Sequence, residues 1–102
     1  MIINCTPHPI IINNETFPTS GIIPRVETIE VESTPIEGFS CATRSMGEVQ
    51  GLPEQVEGTF LIVSAMVLSA SDRKDLIAPD TGSTAVRDTT GRIIQVTRFI
   101  KN

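Results

Sequence analysis

The chain has 102 residues, eight Lys or Arg against twelve Asp or Glu for a net charge of −4, no Trp, no Tyr and four Phe. That length fits one domain over residues 1–102. The acidic balance and the scarcity of aromatic stacking platforms argue against general nucleic-acid binding, which depends on phosphate neutralisation. No apolar run approaches the ~18–20 residues of a membrane-spanning helix, so no membrane partner is expected. Met1–Asn4 lacks the basic and long apolar regions of a signal peptide, and a cytoplasmic location is expected.

Isoleucine recurs in pairs and triplets, as at Ile10-Ile11-Ile12 and Ile93-Ile94, and β-branched residues favour strands. With seven Gly and seven Pro marking frequent turns, the expected fold is α+β and β-dominated. Six to eight short strands would form a strongly bent antiparallel or mixed sheet, or a small open barrel, with one short helix. Ile2–Cys5 reads as a first strand closed by Thr6-Pro7-His8-Pro9, whose prolines hold Thr6 and His8 extended. Ile10–Ile12 follows and ends at Asn13-Asn14, residues that tolerate left-handed backbone. Phe17–Gly21 is a second punctuation mark. Arg25–Glu32 reads as a longer strand. Its alternation is imperfect, with Val26 on one face and Ile29 and Val31 on the other, and a bulge near Thr28 reconciles them. Pro35–Gly38 turns the chain, and Phe39–Thr43 returns it antiparallel. From Arg44 to Gly58 no periodicity is clear, and Gly47, Gly51, Pro53 and Gly58 break any helix. A surface loop is expected there, with Leu52 tucked beneath it.

Thr59–Val63 is a continuous apolar run of strand length, consistent with burial on both faces. Phe60 and Ile62 would share one face, Leu61 and Val63 the other. Ser64 is a good N-cap for a helix from Ala65 to about Ser71 that presents Met66, Val67 and Ala70 to the core. So short a helix needs packing to persist. Leu76–Ala78 is a short strand. Asp88-Thr89-Thr90-Gly91 fits a type I turn joining Ala85–Arg87 to Arg92–Phe99 in a terminal hairpin.

Charged and hydroxyl side chains gather at the turns of the second half, where function usually sits, without a recognisable catalytic signature. His8 alone titrates near neutrality, but no neighbouring carboxylate orients it, and a His bonded to backbone at a strand turn is its simpler reading. Cys5-Thr6-Pro7-His8 has the spacing of half a metal site, and zinc would have to recruit Cys41 and a carboxylate. Reduced thiols packed as small hydrophobes are expected instead, with no metal and no other cofactor. Arg73 and Lys74 complement the negative end of the short helix. Arg73 and Arg87 are also the candidates to converge on an anionic ligand through their guanidinium forks. The hydroxyls of Thr81 and Ser83 and the amides of Asp80–Thr84 would complete that site as a nest, with His8 as a further ligand-binding candidate. The segment lacks the Lys and the strand–helix setting of a P-loop, so a plain connecting loop competes with this reading. For Arg87 the competing role is an ion pair with Asp75 or Asp88.

Asn4, Thr6, Pro7, His8 and Ile10 form an N-x-T-P-H-x-I pattern, followed by Gly47, Val49, Gly51, Leu52 and Pro53. Ile62, Val63, Ser64 and Val67 come next, then Arg73 and Asp75, and last an R-D-x-x-G at Arg87, Asp88 and Gly91. Over nearly its full length this combination resembles a family of small uncharacterised proteins of bacteriophages, prophages and actinobacterial genomes. The chain departs from that pattern at Cys5, where Leu is usual, and at Gln55, where a second Pro of the loop is missing. The resemblance implies no activity. It implies a small, phage-related accessory protein that works in the host cytoplasm.

Three function classes follow. The first is a non-enzymatic binding protein that sequesters a small anionic, nucleotide-like immune signal or blocks a host protein. The second is a structural or assembly component of a virion, and the third, with least behind it, a small hydrolase built on His8. A sequestering protein calls for a compact homo-oligomer, the expected form, with a pocket of Arg and main-chain amides. An assembly component calls for an open apolar surface and a long exposed edge strand. A hydrolase needs His8 within hydrogen-bond reach of a carboxylate and a hydroxyl.

Overall fold

A computed structural model describes all 102 residues. In chain order the elements are β1 (Ile2–Asn4), β2 (Ile10–Ile12), β3 (Glu15–Phe17), β4 (Arg25–Ile36), β5 (Phe39–Gln50) and β6 (Phe60–Ile62). The helix α1 (Ala65–Ser69) follows, then β7 (Leu76–Pro79), β8 (Val86–Arg87), β9 (Ile93–Gln95) and β10 (Phe99–Lys101). The fold is β-dominated with one short helix, as expected. Its strands form a four-stranded sheet and three two-stranded ones, none closed into a barrel. No helix is long and apolar enough to cross a membrane.

The apolar run at Thr59–Val63 supplies the inner strand β6. It pairs parallel with β1 and with β7, and β7 pairs antiparallel with β10, giving the order β1-β6-β7-β10. One face of this mixed sheet carries Cys5, Leu61, Val63, Leu76 and Ala78, closed over by Val67 and Leu68 of α1. Ile62 and Ile77 are buried on the other face. Phe60, at the start of the strand, is exposed, which corrects the expected burial of both members of its face. Ser64 caps α1 by accepting from the Val67 amide at 3.2 Å. The helix ends two residues earlier than expected and buries Val67 and Leu68, while Met66 faces solvent. A helix of five residues presents too narrow a stripe to bury i and i+4 positions as well.

Two type I′ turns organise the first half. Asn13 and Asn14 have φ of 48° and 66°, and Glu37 and Gly38 have 50° and 84°. Consecutive left-handed residues give the turn whose twist matches an antiparallel hairpin. The first pair joins β2 to β3, and the second joins β4 to β5. The second hairpin overturns the surface loop expected from Arg44, since β5 continues to Gln50. Gly47 was read as a breaker, yet it sits at a bulge: Val26 pairs with Val49 and Thr28 with Met46, so Gly47 and Glu48 face the single residue Glu27. A Cβ at Gly47 would lie 3.3 Å from the Glu27 carboxylate, so glycine suits the bulge. The extra residue lies on β5, not on β4. Val26 therefore packs against the core while Ile29 and Val31 stay on the opposite face, instead of being brought together.

The terminal hairpin forms at the expected turn, with Asp88 Oδ1 accepting from the amides of Thr90 and Arg92. The strand expected over Arg92–Phe99 divides, however. Val96 bonds Ile11 and Asn13, and only from Phe99 does the chain join β7. The arm of β4 and β5 leaves the core as a free ribbon. The radius of gyration is 16.6 Å, against about 13 Å for a compact chain of this length.

Candidate functional site

The N-terminal motif is a hydrogen-bond knot. Asn4, 2% exposed, lies on the sheet face opposite Cys5. Its Nδ2 donates to the carbonyls of His8 and Phe17, each at 2.9 Å, and its Oδ1 accepts from the Thr6 amide at 3.0 Å and the Thr6 hydroxyl at 2.7 Å. Ser20 donates to the Asn4 carbonyl through its amide and its hydroxyl, and the Thr19 hydroxyl donates to the Thr6 carbonyl at 2.7 Å. One side chain thus ties β1, the Pro7–Pro9 turn and the end of β3. His8 serves this knot through its carbonyl; its imidazole is exposed and makes no hydrogen bond. Cys5 is buried in the apolar cluster, where burial pushes its thiol pKa up, which keeps it protonated and unreactive. Cys5 and Cys41 are not bonded to each other, and no three His, Cys, Asp or Glu gather as a metal site.

Arg73, Arg87 and Arg98 each have partners within the chain. Arg73 grips Asp75 with two parallel bonds, Nε to Oδ1 at 2.9 Å and Nη2 to Oδ2 at 2.6 Å, and Nη1 donates to the Pro53 carbonyl at 3.0 Å. The Asp75 carboxylate is nearly buried, with 6% of its side chain exposed against 25% for Arg73. Arg98 Nε meets Asp80 Oδ2 at 2.5 Å. The Gly82 amide donates to Asp80 Oδ1 at 2.9 Å, and Thr84 reaches Oδ2 at 3.3 Å. The Asp80–Thr84 segment is therefore wound around its own carboxylate, which takes the Gly82 amide that a nest would offer to a ligand. Arg87 donates to the carbonyls of Gly91 at 2.8 Å and Thr81 at 3.2 Å and has no acidic partner. Thr81 and Ser83 are exposed. No signal in the sequence marked the Asp80–Arg98 pair, whose members stand 18 positions apart.

These pairs give the stability a direction with pH. The Arg73 guanidinium holds the Asp75 carboxyl below the usual carboxylate range, and Arg98 does the same for Asp80. The hydrogen bonds from Thr90 lower Asp88 in the same way. Groups whose folded pKa is lowered contribute in full above the unfolded value and lose that contribution as pH falls below it. The thermal midpoint is therefore expected to hold from about pH 5 upward and to fall below about pH 4, near the free carboxylate value. Asp75→Asn should shrink that acid limb, measured by calorimetry; a limb of undiminished size would show that Asp75 does not cause it. Arg73→Ala breaks a nearly buried pair and is expected to cost roughly 3 kcal/mol, at the low end for such pairs. Arg87→Ala, at an exposed position, should cost below about 1 kcal/mol, and urea unfolding separates the two.

Three clefts open on the surface. The largest, about 690 Å³, lies between the base of the arm and the C-terminal end of α1, lined among others by Glu48, Leu52, Ser69, Ser71, Asp72 and Arg73. Two acids and the carbonyl end of a helix make it a poor anion site. Thr81 lines a second, smaller one with Ile10, Ile11, Ile93 and Ile94. Arg73 and Arg87 line no common cleft.

The most unusual surface is the arm. Thr28, Glu30 and Glu32 pair with Met46, Arg44 and Ala42 on one side of the ribbon, where Arg44 and Glu30 form an exposed ion pair. The other side pairs Ile29 with Ser45, Val31 with Thr43 and Ser33 with Cys41. A second irregularity sets Thr34 and Pro35 against Ser40, and Ile36 then pairs with Phe39. The extra residue at Pro35, which has no amide to donate, brings Ile36 into phase with Ile29 and Val31. Outward of Glu27, which shares this side at its base, the result is a side with no charge, whose apolar members grow more exposed outward, from 47% at Ile29 to 59% at Val31, 65% at Ile36 and 74% at Phe39. Comparison with protein-family models, with curated proteins and with solved structures gives no match.

Proposed function

We propose that the protein is a non-catalytic assembly component, of the phage-related kind that its sequence resembles, and that it engages other protein subunits through the β4–β5 arm. The observation that carries this reading is the arm itself. Its uncharged side is open to solvent, and the outer edges of β4 and β5 pair with nothing in the chain. Contiguous exposed apolar surface marks a protein contact, and open edges admit strand addition. Sequestration of a small anion has less support, because Arg73 is held by Asp75 and Pro53 and Arg87 lies apart from its cleft. A hydrolase built on His8 has least, since the imidazole meets neither a carboxylate nor a hydroxyl.

Particle association is the test. Replacing Glu27–Glu48 by Asn-Gly joins Val26 to Val49, which already face each other, through a two-residue hairpin turn. Particles and assembly intermediates are purified on gradients from cells making the phage with the intact or the shortened chain, then analysed by mass spectrometry. The intact chain is expected in these fractions and the shortened one absent from them. An intact chain confined to free protein would overturn the reading.

A further inference from the structure

We infer that the uncharged side of the arm is the interface with a second copy of this chain, the two ribbons stacking face to face about a two-fold axis. A two-stranded ribbon with both faces wet is at best marginally stable in water, yet β4 and β5 run for 12 residues each. For the ribbon to stay ordered, something must cover one side. The alternation identifies which side. All the ribbon's charged side chains between the two bulges, Glu30, Glu32 and Arg44, lie on one side, and Ile29, Val31, Ile36 and Phe39 lie on the other. That is the pattern of a half-buried antiparallel sheet, on a ribbon that buries neither half. Both bulges serve it: the one at Gly47 brings Val49 opposite the core-facing Val26 on the other side of the ribbon, and the one at Pro35 keeps Ile36 and Phe39 in phase.

A second copy is the occupant that the chemistry fits. The chain carries a net charge of −4, so most approaches of two copies bring like charges together. Stacking through this side outward of Glu27, from Ile29 to Phe39, buries no charge of either copy, and the Glu30–Arg44 pairs stay in solvent. β-branched Ile29, Val31 and Thr43 interdigitate well across stacked sheets. The charge-free stretch Ile29–Ile36, about 26 Å long at ~3.3 Å per residue, with its partners on β5 offers on the order of 500 Å² per copy. The two together come to on the order of 1,000 Å², the size at which a specific interface begins. The inference concerns this side of the arm and does not depend on which larger assembly the protein serves.

Sedimentation equilibrium over a micromolar concentration series tests it, with hydrogen exchange read on the same samples. The wild type is expected to be a dimer that dissociates on dilution. Arm amides should gain protection with concentration, while those of β1, β6 and β7 stay protected throughout. Val31→Glu should weaken the dimer by about 100-fold or more, since a carboxylate would be buried against its own copy unpaired. Glu30→Gln, on the other side, should leave it unchanged. Mixing Val31→Glu with Val31→Lys should restore a dimer. A wild type that stays monomeric, arm protection independent of concentration, or a dimer indifferent to Val31→Glu would each overturn the inference, whatever particle association shows.

Discussion

Asn4→Asp is expected to destabilise the fold more than Asn4→Ala at neutral pH, and the order should narrow in acid. Asn4 uses both ends of its amide: Oδ1 accepts twice from Thr6, and Nδ2 donates to the His8 and Phe17 carbonyls. Alanine removes all of these and orphans the buried Thr6 amide, at about 1–3 kcal/mol for each group left without a partner. The two carbonyls lie nearer the surface and can recover water, so a total of roughly 2–5 kcal/mol is expected. Aspartate keeps the acceptor but turns the donor into a second acceptor, a carboxylate oxygen facing two carbonyls in a site that is 2% exposed. Burial and those carbonyls raise the folded pKa of such a carboxyl. The folded state then binds more protons than the unfolded one, so the variant regains stability as pH falls from neutrality toward about 4. Wild type moves the other way below that value, because its own perturbed carboxylates are lowered. Urea unfolding across this pH range distinguishes the two. An Asn4→Asp protein that loses stability steadily on acidification would mean that Asn4 does not donate to the two carbonyls.

Leu61→Ala is expected to cost roughly 2–5 kcal/mol, the range for truncating a filled core position. Leu61 is 2% exposed on the inner strand β6, and it packs with Cys5, Val63, Leu76 and the α1 residues Val67 and Leu68. With strands on both sides and a helix above, little can collapse into the space left. Phe60, its neighbour in sequence, is 42% exposed, and Phe60→Ala should cost well under half as much although it removes the larger side chain. Equal losses at the two positions would mean that β6 is not the inner strand.

Some of this was written locally. Asn13-Asn14 and Asp88–Gly91 specify their turns by their own backbone preferences, and the continuous apolar run at Thr59–Val63 fits a buried strand, although Phe60 near its start is exposed. Ser64 carries its cap in its own hydroxyl. Of the sequence motifs, the N-x-T-P-H pattern was visible as a pattern, but its meaning was not. Asn4 gains its role from carbonyls at His8 and Phe17 and a backbone brought back by Ser20, and no spacing along the chain announces such a convergence. The guanidinium groups behaved likewise. The sequence offered Asp75 as a partner of Arg87, but Arg73, two residues away, takes it, and Arg98 with Asp80 exists only because β10 docks on β7.

The arm marks the division most clearly. Composition and β-branching by themselves favour extended backbone over Arg25–Glu32 and Phe39–Thr43, and Pro35–Gly38 marks the turn between them, but nothing local shows that β5 runs on from Arg44 to Gln50. Whether Gly47 ends the strand or bends it, and which apolar residues share a side, depends on pairing register. Register is a property of two strands together: one extra residue on either strand exchanges its sides. Only the tertiary structure places Ile29, Val31, Ile36 and Phe39 together on a side that is free of charge outward of Glu27, and only it leaves that side open to solvent.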